Sequence, residues 1–445
     1  MLHRRTVLGA IVLPVIGGRA FAAPRLAPAA FAPGELEALA SIEGDPEDIA
    51  RDEDFWSNIQ RAFTMDRSII NLNNGGVSPA PLIVQEAHKR HIDRANCYPP
   101  PVVLWRDQEP AREHVRARLA RHWGVDPEEI ALTRNASESL QICQFGHDLR
   151  RGDEVLTTTQ DYPRMLTTFK QRERREGIVL KQFKIPIPCE DPKEIVRLFE
   201  QQITARTRLI LMSHVINITG QILPVKEVVA MARTKNGAGG VPVIVDGAHA
   251  LAHFDFKISD LECDFYGVSL HKWLAAPHGT GLLYVRREKI KGLWPLMASE
   301  AKNENDIRKY EEIGTHPVAA TLAIAEALTF HQAIGGPRKE ARLRYLRDRW
   351  AKRLVEGGRA KLHTSLNPAF SCGIGNVQIE GLDSVNLSGD LWAKRGILTT
   401  AIKHDEFEGV RVTPSVYTTL EEIDRFCEAI ESVIANGPPK SEDQK

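Results

Sequence analysis

The chain has 445 residues, and its 58 Lys and Arg side chains are balanced by 58 Asp and Glu side chains, so the formal net charge is zero. This balance argues against nucleic acid or an anionic membrane surface as a partner and favours a small-molecule ligand. The six cysteines are far apart and include no CxxC pair, which argues against a zinc ribbon or a thioredoxin-type redox site.

Residues 1–22 have the parts of a signal peptide. Arg4 and Arg5 give a basic start, residues 7–16 form an apolar run too short to cross a bilayer, and "AFA" at 20–22 is a small-x-small cleavage site. Adjacent arginines followed by "TVL" are typical of a twin-arginine signal, which exports folded proteins and predicts a periplasmic location. An ordinary secretion signal beside a chance arginine pair is the alternative.

Residues 23–70 are predicted to be a linker and an N-terminal segment. Their opening text, "APRLAPAAFAPG", is rich in Ala and Pro and typical of extended chain. No stretch after the signal peptide is long and apolar enough to predict a membrane span.

Residues 71–320 are predicted to form a large α/β domain. Strand-like runs alternate there with helix-like runs, and the strand-like runs are "EIALT", "DEVLTT", "TRLILMSHV", "VPVIVD", "DFYGVS" and "GLLYV". Continuous apolar strands with helical crossovers predict a mainly parallel sheet covered by helices on both faces. Ligands of such sheets bind beyond the carboxyl ends of the strands.

Residues 321–438 are predicted to form a smaller α+β domain. An alanine-rich helix ends at Gly335-Gly336, and a strongly charged helix, "PRKEARLRYLRDRWAKRLVEGG", follows it. The short strands "GNVQIEG" and "GVRVTP" and a last helix from "TLEEID" complete this part.

Three groups at predicted strand ends carry the chemistry. Asp246 ends a buried strand and therefore needs a cationic partner or hydrogen-bond donors. The text "TRNASES" opens a helix whose Ala136 and Ser137 N–H groups form a phosphate cradle, although an ordinary Asn N-cap explains the same letters. Lys272 follows the strand "DFYGVS" and is flanked by two further donors, Ser269 and His271.

An anion site, a desolvated carboxylate and a lysine able to form an imine together describe a site for pyridoxal 5'-phosphate. A metal site of Asp246, His249, His253 and His271 is one alternative, since His249 and His253 would share a helix face. A nucleotide loop at "PHGTG" and a binding protein that holds the cofactor without turnover are two others.

In its most specific pieces, "DGAHA" followed by "SLHKW" and then "GVRVTPSVYTTLEEID", the chain resembles the fold-type I, class V pyridoxal-phosphate enzymes, which include cysteine desulfurases, selenocysteine lyase and isopenicillin N epimerase. The resemblance runs in order from Asn71 to Asp424. It implies a seven-stranded, mainly parallel sheet with a smaller C-terminal domain. It also implies an enzyme that acts on an amino acid or a close relative of one.

The resemblance implies roles for single residues. Lys272 would bind the cofactor aldehyde, Asp246 would pair with the pyridine nitrogen, and His249 would lie near the imine and the ring hydroxyl. Asn217 would bind that hydroxyl, and Tyr162 would stack on the ring. The residues implied to bind the phosphate are Ala136, Ser137, Ser269 and His271.

On the substrate side, Arg411 would bind the substrate carboxylate with two parallel donors. Asn74 and Gly75 would line the same side. Thr315 would reach the phosphate of a second subunit, so the resemblance implies a homodimer.

One departure from the family pattern separates the subclasses. Desulfurases carry a nucleophilic cysteine shortly before the arginine, whereas "GILTTAIKHDEFEGVR" contains none. We therefore expect an enzyme most like the isopenicillin N epimerase branch. Epimerisation, transamination and elimination at the carbon–sulfur bond share their first steps, and the motifs do not distinguish them.

Overall fold

The computed structural model describes residues 34–237 and 239–436. The predicted signal peptide, with Arg4, Arg5 and the cleavage site, lies outside the described residues.

The described residues contain strands and helices along their whole length. The strands are β1 (Ile70–Asn71), β2 (Ile130–Thr133), β3 (Glu154–Thr158), β4 (Val179–Phe183), β5 (Thr207–Ser213), β6 (Val243–Asp246), β7 (Phe265–Ser269), β8 (Gly281–Val285), β9 (Ala360–Leu362), β10 (Gly375–Ile379), β11 (Ile397–Leu398), β12 (Thr400–Lys403) and β13 (Glu408–Val412). The α-helices are α1 (Glu35–Ser41), α2 (Pro46–Ile49), α3 (Glu53–Arg61), α4 (Leu82–Cys97), α5 (Glu109–Trp123), α6 (Ala136–Gly146), α7 (Pro163–Glu176), α8 (Pro192–Gln202), α9 (Val225–Arg233), α10 (Ile258–Leu261), α11 (Arg287–Ile290), α12 (Ala319–Leu322), α13 (Ile324–Ile334), α14 (Gly336–Glu356), α15 (Ser384–Arg395) and α16 (Leu420–Asn436). A π-helix spans Pro101–Gln108, and 3₁₀ turns span Pro127–Glu129, Ala301–Asn303 and Ile307–Glu311.

The large sheet has seven strands in the order β2-β8-β7-β6-β5-β3-β4. The pairs β7–β6, β6–β5, β5–β3 and β3–β4 are parallel, while β8 runs antiparallel to both of its neighbours. The predicted mainly parallel sheet is confirmed. The edge strand β4 was not predicted. Its residues are largely half-exposed and lack the continuous apolar run of the central strands.

Helices cover both faces of this sheet, and one of them packs unusually close. A Cβ on Gly267 in β7 would lie 2.8 Å from the side chain of Leu140 in α6. The bare glycine therefore lets α6 lie directly on the sheet, which brings the first turn of α6 beside the carboxyl end of β7.

The small sheet is antiparallel, with the order β12-β13-β10-β9. It packs with α14 and α16 around an apolar cluster centred on Trp350, Phe426 and Val410. Strand β1 pairs in parallel with β11, so the chain around residue 70 lies against the C-terminal strands.

The region predicted as linker and N-terminal segment contains helices α1 to α3. The fully buried Arg342 of α14 donates to the carbonyl of Ala50 at 2.9 Å and forms an ion pair with Glu53. This part of the chain is therefore packed against α14. Within residues 34–237 and 239–436, no helix has both the length and the hydropathy needed to cross a membrane.

Candidate active site

A cleft of about 430 Å³ opens at the carboxyl ends of the central strands. It collects nine of the residues singled out from the sequence, which are Ala136, Ser137, Tyr162, Asn217, Asp246, His249, Ser269, His271 and Lys272. Residues from positions as distant as 136 and 272 meet there because the ends of neighbouring parallel strands lie at one edge of the sheet.

Asp246 is the last residue of β6 and is buried. Its carboxylate accepts the Ala248 N–H at 3.0 Å, and burial raises the pKa of the side chain to about 6. A Cβ on the next residue, Gly247, would lie 2.0 Å from the Tyr266 ring, so only glycine fits this tight turn. The carboxylate makes no ion pair within the described residues, and a cationic ligand atom would stabilise its ionised form.

Lys272 and His249 contact each other inside the cleft. Lys272 Nζ lies 3.1 Å from His249 Nε2, and burial lowers the pKa of the lysine to about 8. Burial and the nearby Lys272 keep the pKa of His249 well below its ordinary value. A neutral imidazole beside a lysine with a lowered pKa is an arrangement suited to proton transfer.

The first turn of α6 also lines the cleft. The Asn135 side chain caps the helix by accepting the Glu138 N–H at 2.9 Å, so the ordinary capping role predicted as an alternative is present. The Ala136 N–H, expected to be free, donates to Ser269 Oγ at 2.9 Å. The helix start, Ser269 and His271 thus lie together, and burial lowers the pKa of His271 to about 4.

Tyr162 lies half-buried at the start of α7, directly after Asp161. The Asp161 carboxylate is buried and accepts five hydrogen bonds of 2.7 to 2.9 Å from Thr157, Thr158 and Ser213. These bonds tie the end of β3 to the end of β5 and so fix the residue before Tyr162. Sequence reasoning missed Asp161, although its place after "DEVLTT" is a recognisable strand end.

Arg411 is buried behind Asn217 and is absent from the cleft wall itself. Its guanidinium donates to the Asn217 carbonyl at 3.1 Å and to Asn73 Oδ1 at 2.8 Å. Burial lowers its pKa to about 10, and no carboxylate of the described residues pairs with it. Asn73 orients this arginine. The sequence motif pointed to its neighbour Asn74 and not to Asn73.

Like Arg411, three further predicted residues lie away from the cleft wall, namely Asn74, Gly75 and Thr315. The side chain of Asn74 makes hydrogen bonds with Thr413, Asn71 and Tyr417. The Gly75 N–H donates to Thr413 Oγ1 at 2.9 Å. The next residue, Gly76, lines the cleft instead.

Thr315 lies in a separate cleft of about 360 Å³ that Trp105 also lines. This position is compatible with a contact between Thr315 and the cofactor phosphate of a second subunit. That contact stays a prediction.

The metal alternative required His249 and His253 on one helix face. Residues 248–253 form turns instead, with Ala252 in the left-handed region at φ 62°, and both ring nitrogens of His253 are engaged with backbone groups. Among the residues that the structure describes, no group of three or more His, Cys, Asp or Glu side chains is placed to hold a metal ion.

The cysteines do not line the cleft. Cys372 is fully buried, where its thiol contacts the His253 carbonyl at 3.6 Å and burial raises its pKa to about 12. The segment that precedes Arg411 is a hairpin of β12 and β13. Its turn is held by Glu406, which accepts from Gln160 Nε2 at 3.0 Å.

The cleft fits pyridoxal phosphate on observations of its own. In the part of the chain that the structure describes, Asn217 Oδ1 and His249 Nδ1 are buried without a hydrogen-bond partner, and both residues line the cleft. A ligand with a hydroxyl group, a protonatable ring nitrogen and an anionic group would engage these atoms, Asp246 and the start of α6.

Sequence comparison places the chain among known enzymes. The profile of the family described as aminotransferase class-V matches residues 106–426. Isopenicillin N epimerase of Streptomyces clavuligerus is 30% identical over 397 residues, covering 85% of this chain and 98% of that protein. The probable cysteine desulfurase of Synechocystis is 27% identical, over 60% of this chain and 64% of that protein.

Solved structures share the fold. The cystine C–S lyase C-DES, in complex with cysteine persulfide, superposes with a TM-score of 0.73 at 23% identity, over 82% of this chain and 97% of that one. The cysteine desulfurase of Thermococcus onnurineus, at 21% identity, also gives 0.73, over 85% and 98% of the two chains. The predicted resemblance is confirmed, and the chain belongs to the class-V aminotransferase family of pyridoxal-phosphate-dependent enzymes.

Proposed function

We infer that the chain removes the α-proton of an amino-acid substrate and returns a proton to the same carbon, with Lys272 as the cofactor-binding residue and as the acid–base group on one face of that carbon. The observation that carries this inference is the buried contact of 3.1 Å between Lys272 Nζ and His249 Nε2, in a cleft that also holds Asp246.

The cleft residues divide by what they can hold. The start of α6, with Ser269 and His271, would hold the phosphate, and Asp246 would hold the ring nitrogen. Asn217 Oδ1 would accept the ring hydroxyl, and the half-buried Tyr162 ring would cover one face of the pyridine. When bound, pyridoxal phosphate supplies an electron sink that lets a bond at the substrate α-carbon break heterolytically.

The protein supplies orientation and proton transfer. Arg411, held by Asn73 and Asn217 and free of any ion pair in the described chain, would receive the substrate carboxylate. Lys272, with its pKa lowered to about 8, is a usable base and acid near neutral pH. Neutral His249 places an imidazole nitrogen at the same amine and can hold it in position between the two transfers.

Epimerisation is the reaction that we favour. An isopenicillin N epimerase aligns with this chain over 98% of its own length. Epimerisation requires that a proton reach the α-carbon from the face opposite Lys272, where Tyr162 or water would be the donor, and it requires no further nucleophile. Elimination at a carbon–sulfur bond is the second candidate, because cysteine desulfurases are also relatives. The lack of a cysteine in the cleft wall speaks against a persulfide-forming version of that reaction.

The test combines two measurements on the purified, cofactor-loaded enzyme. Borohydride reduction followed by peptide mass spectrometry should find the cofactor on Lys272, and Lys272→Ala should lose the visible absorbance band. A panel of amino acids in deuterated water should include one whose α-proton exchanges. A cofactor found on another lysine, or no exchange with any amino acid, would refute the assignment.

We also infer a homodimer. Four apolar side chains within residues 92–105, namely Ile92, Tyr98, Val102 and Trp105, are 38 to 63% exposed. Trp105 lines the same cleft as Thr315, the residue predicted to serve a partner subunit. Exposed apolar side chains gathered in one short segment, one of them beside Thr315, support burial of this segment against a second copy. Analytical ultracentrifugation should give a dimer, and Trp105→Glu should give monomers; a monomeric wild type would disprove the inference.

Export to the periplasm rests on the sequence of residues 1–22. The twin-arginine route would carry a folded, cofactor-loaded enzyme, which suits a cofactor made in the cytoplasm. The expected result is a periplasmic protein cut after Ala22, with the Arg4→Lys, Arg5→Lys double variant retained in the cytoplasm. Normal export of the double variant would show that the ordinary secretion route is used.

A further inference from the structure

The catalytic lysine is followed by a tryptophan whose surroundings the cofactor chemistry does not explain. Trp273 is buried, and its indole ring lies flat on the His253 imidazole, with ring centres 3.7 Å apart and planes 4° apart. The indole Nε1 finds no hydrogen-bond partner within the described residues, so the stack and the backbone hold this ring. The carbonyl of Trp273 accepts a hydrogen bond from the side-chain nitrogen of Lys339, whose pKa burial lowers to about 7.

The hydrogen bonds of His253 fix its tautomer. Its Nε2 lies 2.8 Å from the Gly373 N–H, which can only donate, so Nε2 carries a lone pair. The proton must then be on Nδ1, which lies 2.7 Å from the His249 carbonyl, a group that can only accept. A charged ring would lose the Gly373 bond. Burial disfavours the charged ring as well, and so do Arg344, Arg347 and the protonated form of Lys339.

The four residues His253, Trp273, Lys339 and Gly373, here termed the brace, connect three parts of the chain. His253 ends the turn that begins at Asp246, Trp273 adjoins Lys272, and Lys339 and Gly373 lie in the C-terminal part that also carries Arg411. The brace therefore joins the segment of His249 to the segment of Lys272 and ties both to the side that would hold the substrate carboxylate.

We propose that His253 and Lys339 are positioning residues that hold the Lys272 amine against His249 Nε2. Neither residue lines the cleft or contacts the reacting atoms. They act through backbone groups, because His253 holds the carbonyl of His249 and Lys339 holds the carbonyl of Trp273. This proposal rests on the proposed function of Lys272 and goes beyond it.

The test uses His253→Phe, which can keep the flat contact with Trp273 but loses both hydrogen bonds. The matched control is His147→Phe, because His147 makes the same Nδ1 contact of 2.7 Å with the carbonyl four residues earlier and lies outside the cleft. In the cofactor-loaded enzyme, the pH midpoint of the visible absorbance band should shift by roughly one pH unit in His253→Phe. It should stay unchanged in His147→Phe.

Kinetics supply a second readout. At saturating amino acid the α-proton exchange rate of His253→Phe should fall about tenfold, while the half-saturating concentration stays within about twofold because Arg411 is untouched. Lys339→Met should behave like His253→Phe, and Lys339→Arg, which keeps a donor for the Trp273 carbonyl, should restore the rate. If His253→Phe matches His147→Phe in both midpoint and rate, the proposal is overturned.

A measurement on the cofactor-free wild type covers the case in which the variants fail to fold. Long-range ¹H–¹⁵N spectra of histidine-labelled protein should show His253 as the Nδ1–H tautomer, unchanged from neutral to mildly acidic pH. An Nε2–H tautomer, or titration in that range, would overturn the brace. Because this result does not depend on the cofactor, it separates failure of the brace from failure of the proposed function, which the borohydride experiment tests.

Discussion

Replacement of Asp246 by asparagine should have opposite effects on stability and on catalysis. Burial raises the pKa of this carboxyl from 3.8 to about 6 in the cofactor-free protein, so ionisation is less favourable in the folded chain than in the unfolded one. Above pH 6 the folded state carries the full cost of an ionised, desolvated carboxylate. Below the unfolded value the carboxyl is neutral in both states, and the cost disappears.

The size of this cost follows from the two pKa values. At about 1.4 kcal/mol per pH unit, the difference between about 6 and 3.8 corresponds to about 3 kcal/mol at pH 7. At pH 5, between the two values, roughly half of it remains. Asp246→Asn removes the ionisable group. The free energy of unfolding of the variant, relative to that of wild type, should therefore rise by about 1 kcal/mol from pH 5 to pH 7. This pH-dependent part is separate from any constant cost of the buried amide.

Urea unfolding of the cofactor-free proteins at the two pH values is the assay. Asp161→Asn is the matched control, because that carboxylate is equally buried but accepts five hydrogen bonds, and its replacement should lower stability at both pH values. A relative stability of Asp246→Asn that stays flat or falls from pH 5 to pH 7 would contradict the reasoning. In the loaded enzyme the same substitution should reduce α-proton exchange by about 10²- to 10³-fold, since a neutral amide does not hold a protonated ring nitrogen.

Two further predictions concern the substrate side and the reaction. Arg411→Lys should raise the half-saturating amino-acid concentration roughly 10- to 100-fold, because one ammonium cannot reproduce two parallel donors, while the visible band is retained; titration of the α-proton exchange rate checks this. Incubation with L-cysteine should leave no persulfide on any of the six cysteines by intact-protein mass spectrometry. A persulfide on Cys372 or another thiol would favour the desulfurase interpretation instead.

The central strands and the cleft could be predicted because their signals are local. The runs that became β5 and β6 have continuous apolar stretches at 209–212 and 243–245, Asp246 ends its strand, and Lys272 comes three residues after β7. The strand β4 was missed because an edge strand with mixed exposure has no continuous apolar run. The metal alternative assumes a helix after Asp246, whereas residues 248–253 form turns with Ala252 in the left-handed region, which the letters of this segment do not predict.

Other features depend on contacts between distant parts of the chain. Asp161 receives two of its five hydrogen bonds from Ser213, which lies 52 positions away, and no local pattern predicts that contact. Asn73 orients Arg411 across 338 positions, and the sequence motif drew attention to Asn74 and Gly75 beside it instead. Residues of this kind become visible only when the strands are placed next to each other.

The pairing of β1 with β11 has a consequence for the order in which the enzyme can be made. Just before β1, Arg67 donates to the Tyr417 carbonyl at 3.1 Å across 350 positions. Neither this bond nor the β1–β11 pairing can form until the ribosome has synthesised the last part of the chain. The cleft residues proposed to hold the cofactor, which lie between positions 136 and 272, are synthesised well before Arg411. A nascent chain could therefore shape the pocket for its cofactor while still lacking the group that would admit a substrate.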